Sequence, residues 1–204
     1  NSGGMPPDDE LTLIGPYGKW ARSLTAGKIP LISFRNKSIK DIASWRKIAR
    51  TRLLSRLAMP DLGSAPKTSI IKEYDYDGLH IQELTWQLPY GRPSGGIVLK
   101  PQNATGRLPA ILALHDQGGN KFFGAQKIVR TSDNQHPMLV DHQKTYYEGF
   151  AWANEIARRG YVVLVPDAFP FASRRVMLSD VPQKHRQNLT DPDSTSPSTE
   201  QIQQ

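Results

Sequence analysis

Apolar residues recur along this chain in two rhythms, broken by continuous apolar runs. From residue 38 to 58, Ile39, Ile42, Trp45, Ile48, Ala49, Leu53 and Leu57 return at steps of three or four, apart from one slip, which predicts a helix. Ser38 stands in a capping position with Asp41 three residues on, and Pro60 and Gly63 close the segment. Over 69–100 the period shortens to two. TSIIKEYDYDG, LHIQELTWQLPYG and GGIVLKP read as antiparallel strands, with Asp77-Gly78 as a two-residue hairpin turn. PAILAL (109–114) is a continuous apolar run of strand length, the pattern of a strand buried on both faces, and YVVLVPD (161–167) is a second apolar strand. Between them, YYEGFAWANEIARR (146–159) places Phe150, Ala153, Ile156 and Ala157 on one side of a helix, with Gly160 behind it as a C-cap. Strand, helix and strand in that order predict a parallel βαβ unit.

The remaining segments lack a period. Residues 1–37 read as irregular, punctuated by Gly and Pro. Residues 120–144 show no clear rhythm, and an unpatterned stretch of that length is usually functional or disordered. From about 179 onward the chain is polar and reads as a loop or linker. The expected organisation is an N-terminal extension over 1–68, an α/β body over 69–178, and a polar loop over 179–204 cut before its next helix.

Composition narrows the classes of function. The 204 residues correspond to about one domain and a remainder. No stretch of 18 apolar residues exists, so no transmembrane helix is expected, and no secretory signal is visible; the compartment stays open. There is no cysteine, which excludes disulfides, zinc–cysteine sites and thiol catalysis. Lys and Arg number 26 against 19 Asp and Glu, a formal charge of +7. Arg46, Lys47, Arg50, Arg52 and Arg56 concentrate part of that charge on the 38–58 helix. Such a face can meet phosphates or an anionic membrane, but it equally covers the solvent side of a packed helix. Interleaved aromatics are few and no nucleic-acid module is present, so neither nucleic acid nor membrane is expected as a partner.

The most informative segment is LPAILALHDQGGNK (108–121). A strand ends at His115 and runs into the turn Asp116-Gln117-Gly118-Gly119. Ligands of open α/β sheets bind beyond the carboxyl ends of strands, and glycines free backbone amides to face a ligand. Two readings stay open: amides that hold an oxyanion, or a tight turn with a buried histidine. Asp167 closes the second apolar strand, either as a general base or metal ligand, or as an organiser of its own loop through backbone amides. Arg174 and Arg175 read as anion binders or as members of an ion pair within that loop. His136, Asp141 and His142 in HPMLVDH are too widely spaced for a usual metal pattern and read better as part of a pocket lid, near Phe122, Phe123, Tyr146 and Tyr147. No metal or cofactor is expected. Asn36, Asn103 and Asn188 match the glycosylation acceptor pattern, which says little without a compartment.

The order of strands, HDQGG, YYEGFAWANEIARRGY and VVLVPDAFPFASRRV together resemble the first half of an α/β hydrolase, on the dienelactone-hydrolase-like and acetyl-xylan-esterase-like branch. The resemblance covers 95–178 and extends over 38–94. It implies that the backbone amides of Gln117 and Gly118 serve the oxyanion hole. It also implies that His115, Asp116, Gly119 and Phe169 wall the substrate site. Asp116 departs from the commoner His-Gly start of this turn.

The family's nucleophile sits in G-x-S-x-G, followed by an acid and a histidine. Ser64, Ser94 and Ser173 come nearest and none has the flanking glycines in place. The resemblance therefore implies a serine carboxylic-ester hydrolase, acting on small esters such as acetylated sugars, whose Ser-Asp-His triad is not in this chain; the chain alone is expected to be inactive. A serine peptidase of the same fold and a non-catalytic binding module, complete as given, are the alternatives. A half sheet is also expected to leave its last strand, 161–167, with an open apolar edge prone to association.

Overall fold

The computed structural model describes residues 12–61, 63–192 and 197–203. The loop reading of residues 1–10 and part of the polar tail fall outside them. The chain divides into two compact units, 1–60 and 61–204.

The first unit holds helices α1 (Gly18–Thr25) and α2 (Ile42–Leu54). The long helix is shorter than its periodicity predicts. Asp41, not Ser38, is the N-cap: its carboxylate accepts the amides of Ala43 and Ser44 at 3.2 and 2.8 Å. Asn36 holds Ser38 in a turn instead, accepting both its amide and its hydroxyl. Trp45 anchors the helix to the preceding segment, donating its indole N–H to the Ile32 carbonyl at 2.8 Å and packing 4.9 Å from the Phe34 ring.

The second unit is built on a five-stranded sheet: β1 (Thr68–Tyr76), β2 (Leu79–Trp86), β3 (Ser94–Pro101), β4 (Ala110–Leu112) and β5 (Val162–Pro166). The spatial order is β1-β2-β3-β5-β4. The pairs β1–β2, β2–β3 and β3–β5 are antiparallel, and β4 pairs parallel to β5, as a βαβ connection requires. Asp77 and Gly78 both take positive φ, and Tyr76 pairs with Leu79, which is the two-residue hairpin read from the sequence.

The crossover from β4 to β5 contains two helices. Residues 120–144 are not a bare loop: they hold a 3-10 turn at Ala125–Lys127 and most of α3 (Pro137–Tyr147). The helix expected over 146–159 is split, because Glu148 and Gly149 both enter the left-handed region and end α3, and α4 begins afresh at Trp152–Arg158. Ala153 and Ala157 are fully buried, and their small side chains let α4 lie on β3 and β5. With Leu79, Ile81, Ile97, Leu99, Ile128, Val129, Val163 and Val165 they form the core.

Two expectations about the strands are corrected here. β5 is not the open edge: it lies between β3 and β4, and β4 is the terminal strand among the described residues. Nor is the PAILAL run buried on both faces. In β5 only Val163 and Val165 are buried, and in β4 Leu112 is 63% exposed, because the core forms on one face of the sheet. The polar stretch after 179 carries a 3-10 turn (Gln183–His185) and a short helix, α5 (Thr199–Gln203). No helix among the described residues is long and apolar enough to cross a membrane.

Candidate functional site

The loops leaving the carboxyl ends of β4 and β5 meet, because those strands are parallel neighbours. His115 joins them. Its Nε2 accepts the Ala168 amide at 3.0 Å, and its Nδ1–H donates to the Asp116 carbonyl at 2.9 Å. It is 8% exposed and meets Phe171 edge-on, ring centres 5.0 Å apart. Both nitrogens are thus committed to backbone, and His115 braces the two loops against each other. Ala172 donates its amide to the Lys121 carbonyl at 2.9 Å, a second tie between the two loops.

Asp116 sits inside a polar network. Its Oδ2 accepts the Tyr147 hydroxyl at 2.5 Å and His142 Nε2–H at 2.9 Å, both from α3. Its Oδ1 has no hydrogen-bond partner among the described residues but lies 4.0 Å from the Lys127 ammonium. Burial pushes the Asp116 carboxyl up; the hydrogen bonds of Tyr147 and His142, with the charges of His142 and Lys127, outweigh it and hold the group below its ordinary value. Burial, and then Asp116, push the Tyr147 hydroxyl up to about 12, so it stays protonated and donates.

Lys127 is the buried cation of the site, 1% exposed. Its Nζ donates to the Gln117 carbonyl at 2.9 Å and the Asp116 carbonyl at 3.4 Å, and it lies 4.4 Å from the centre of the Phe171 ring. Among the described residues, the amides of Gln117 and Gly118 have no hydrogen-bond partner. Gln117 and Gly119 are exposed, and Gly118 half-buried. Gly118 has φ +39°, and a Cβ there would stand 2.2 Å from Asp116 Oδ1 and 2.4 Å from His142 Cε1. The glycine is therefore what lets Asp116 fold back under its own turn.

The β5 loop is organised by Asp167. Its Oδ1 accepts the Ala125 amide at 2.8 Å, and its Oδ2 accepts the Ser173 hydroxyl at 2.7 Å and amide at 3.2 Å. This is the loop-organising role. Ser173 Oγ also accepts the Gly95 amide, and the buried Ser94 Oγ has no partner; among the described residues neither serine meets a histidine. Phe169 is 65% exposed at the rim. Arg174 and Arg175 do not form ion pairs among the described residues. Arg175 donates to the Ala172 carbonyl at 3.0 Å and lies over Phe122, and Arg174 lies over Phe169.

The HPMLVDH segment is the start of α3. His136 caps that helix, accepting the Met138 amide through Nδ1 and donating through Nε2 to the Pro197 carbonyl. His142 turns inward to Asp116, and Asp141 is exposed. No group of three or more His, Asp or Glu among the described residues is placed to hold a metal ion.

Sequence reasoning missed the parts that Lys127, Tyr147 and His142 play around Asp116. The signal was weak: a lysine inside an unpatterned stretch, and a histidine assigned to a lid.

No family model matches the chain, and no curated protein matches it. A solved structure from Bacteroides fragilis, described as a "putative acetyl xylan esterase", superposes with a TM-score of 0.53 at 21% identity. The match covers 85% of this chain and 42% of that one. The fold is of the α/β-hydrolase type. This chain thus spans about two fifths of the length of the structure it resembles.

Proposed function

We propose that this chain carries the oxyanion-binding half of a serine carboxylic-ester hydrolase for small acyl esters, acetylated sugars among them. The observation that carries the reading is the pair of unpartnered amides at Gln117 and Gly118, held at the carboxyl end of β4 in the turn that His115 and Lys127 fix from behind. Amides so placed stabilise the negative oxygen that develops when a nucleophile attacks an ester carbonyl, and loss of one such donor typically costs about 100- to 1000-fold in rate. The name of the Bacteroides fragilis structure supports an acetylated carbohydrate as the substrate. In this reading the nucleophilic serine, its acid and its histidine come from outside these 204 residues. The serine attacks the acyl carbon, the histidine takes the serine proton and returns it to the leaving alcohol, and water repeats the cycle on the acyl-enzyme.

The test is a comparison of the 204-residue chain with the product of the gene read beyond Gln204. The expected result is no turnover of 4-nitrophenyl acetate or acetylated xylo-oligosaccharides by the first, and turnover by the second. A longer product that cleaves peptides and spares esters, or a stop codon directly after Gln204, overturns the reading.

A further inference from the structure

We infer that Lys127 is a positioning residue for the oxyanion turn: its buried ammonium fixes two successive peptide planes so that the Gln117 and Gly118 amides face the substrate. The inference rests on the ester-hydrolase reading of the site.

The argument is geometric. A trans peptide points its carbonyl and its N–H in opposite directions. The cis bond among the described residues lies elsewhere, at Phe169-Pro170. The Asp116 carbonyl faces Lys127 and His115, so the Gln117 amide faces away from both. The Gln117 carbonyl faces Lys127 at 2.9 Å, so the Gly118 amide also faces away from it. One cation thereby sets the orientation of both donors. Because it holds the carbonyl ends, it also draws electron density along each peptide and makes the opposing N–H a stronger donor.

A lysine is well suited to this task and ill suited to any bland one. At 1% exposure the side chain is shielded from water, and burying an ammonium is unfavourable unless it is paired and hydrogen-bonded. Burial, followed by the charge of Lys121, pulls its proton affinity down, and Asp116 at 4.0 Å raises it. Asp116 can sit there because Tyr147 and His142 hold its other oxygen and because Gly118 leaves room for Oδ1. The departure of this chain from the His-Gly start is in this way matched by a counter-cation and by two donors from α3.

The test uses the 204-residue chain and carbon-detected NMR, which needs no amide proton at high pH. On raising the pH, the 13C signals of the Asp116 and Gln117 carbonyls and the 15N signals of Gln117 and Gly118 are expected to shift together. Their midpoint should equal that of the Lys127 side-chain signals and lie below the ordinary lysine range. Lys127→Met should abolish the transition. If Lys127→Met fails to fold, the wild-type midpoints decide. Backbone signals that follow Lys121, or do not move, overturn the inference even if esters are cleaved. A shared transition in a protein whose longer product cleaves no ester leaves the clamp standing and sinks the hydrolase reading. In the longer product, Lys127→Met should lower kcat about 100-fold with KM within twofold; unchanged kcat with raised KM also overturns the inference.

Discussion

His115 Nε2 accepts the Ala168 amide, so the residue that follows the PAILAL run is hydrogen-bonded to the first residue after Asp167. Beyond the ladder, which ends at Leu112 in β4 and Pro166 in β5, this side chain ties the two loops of the candidate site together, alongside the Ala172–Lys121 backbone bond. His115→Leu keeps similar bulk but leaves the Ala168 amide and one bond to the Asp116 carbonyl unmade. Each buried group left without a partner costs about 1–3 kcal/mol, so a loss of roughly 2–4 kcal/mol is expected in urea denaturation. A variant as stable as the parent would show that the bridge is dispensable.

Two adjacent glycines give an internal control for the turn. Gly118 and Gly119 both have positive φ, but only at Gly118 does a Cβ collide, with Asp116 and His142; at Gly119 the space is open. Gly119→Ala should cost about 1–2 kcal/mol from backbone strain alone. Gly118→Ala should cost more, and should also displace Asp116 from Tyr147. Comparing the two by denaturation and by the shift of the Tyr147 hydroxyl-bearing carbon separates strain from collision. Equal losses would mean that the contact with Asp116 carries no weight.

Asp116 should govern part of the acid limb of stability. Its carboxyl is held below the ordinary 3.8, so the folded state binds the proton less readily than the unfolded chain. The stability it contributes is present above the unfolded value and is lost as pH falls through the lower folded value. The window is thus pH 4 and below. Asp116→Asn should show a flatter dependence there, because it has no charge to lose, and should start from a lower stability at pH 7, because the Lys127 ammonium then lacks its anion. An unchanged acid limb in this variant would place the acid sensitivity elsewhere.

The sequence made the sheet legible where the chain alternates and its turn chemistry is specific: Asp77-Gly78 predicts a hairpin that the register reproduces. The continuous runs were less informative. PAILAL and YVVLVPD say strand, but not which neighbour each takes, and β5 inserts between β3 and β4 because the crossover returns it to the inside. α3 was hidden because only Leu139 and Gln143 are buried on it and His142 and Tyr147, the side chains it sends to Asp116, are polar, so apolar periodicity had little to report. The turn at 115–119 was recognisable from His115 and the two glycines. Its electrostatic support was not, since Lys127, His142 and Tyr147 come from 11 to 31 residues away and meet Asp116 only in the folded crossover.

The placement of β4 shifts the expected site of association. Edge strands with apolar, uncharged surfaces template further pairing. β4 has no second neighbour among the described residues, and Leu112 and Leu114 beside that edge are 63% and 61% exposed. A charge on an edge strand opposes pairing with another chain because stacking like charges across the new ladder is unfavourable. Leu112→Lys and Leu114→Lys should therefore reduce self-association of the 204-residue chain in sedimentation velocity, and since both side chains already face solvent, each should cost less than about 1 kcal/mol of stability. A lysine in place of Val163 or Val165, on the interior strand β5, should instead destabilise without improving solubility, because both side chains are fully buried in the core. If the β5 variants dissolve the oligomer and the β4 variants do not, the exposed edge is not what drives association.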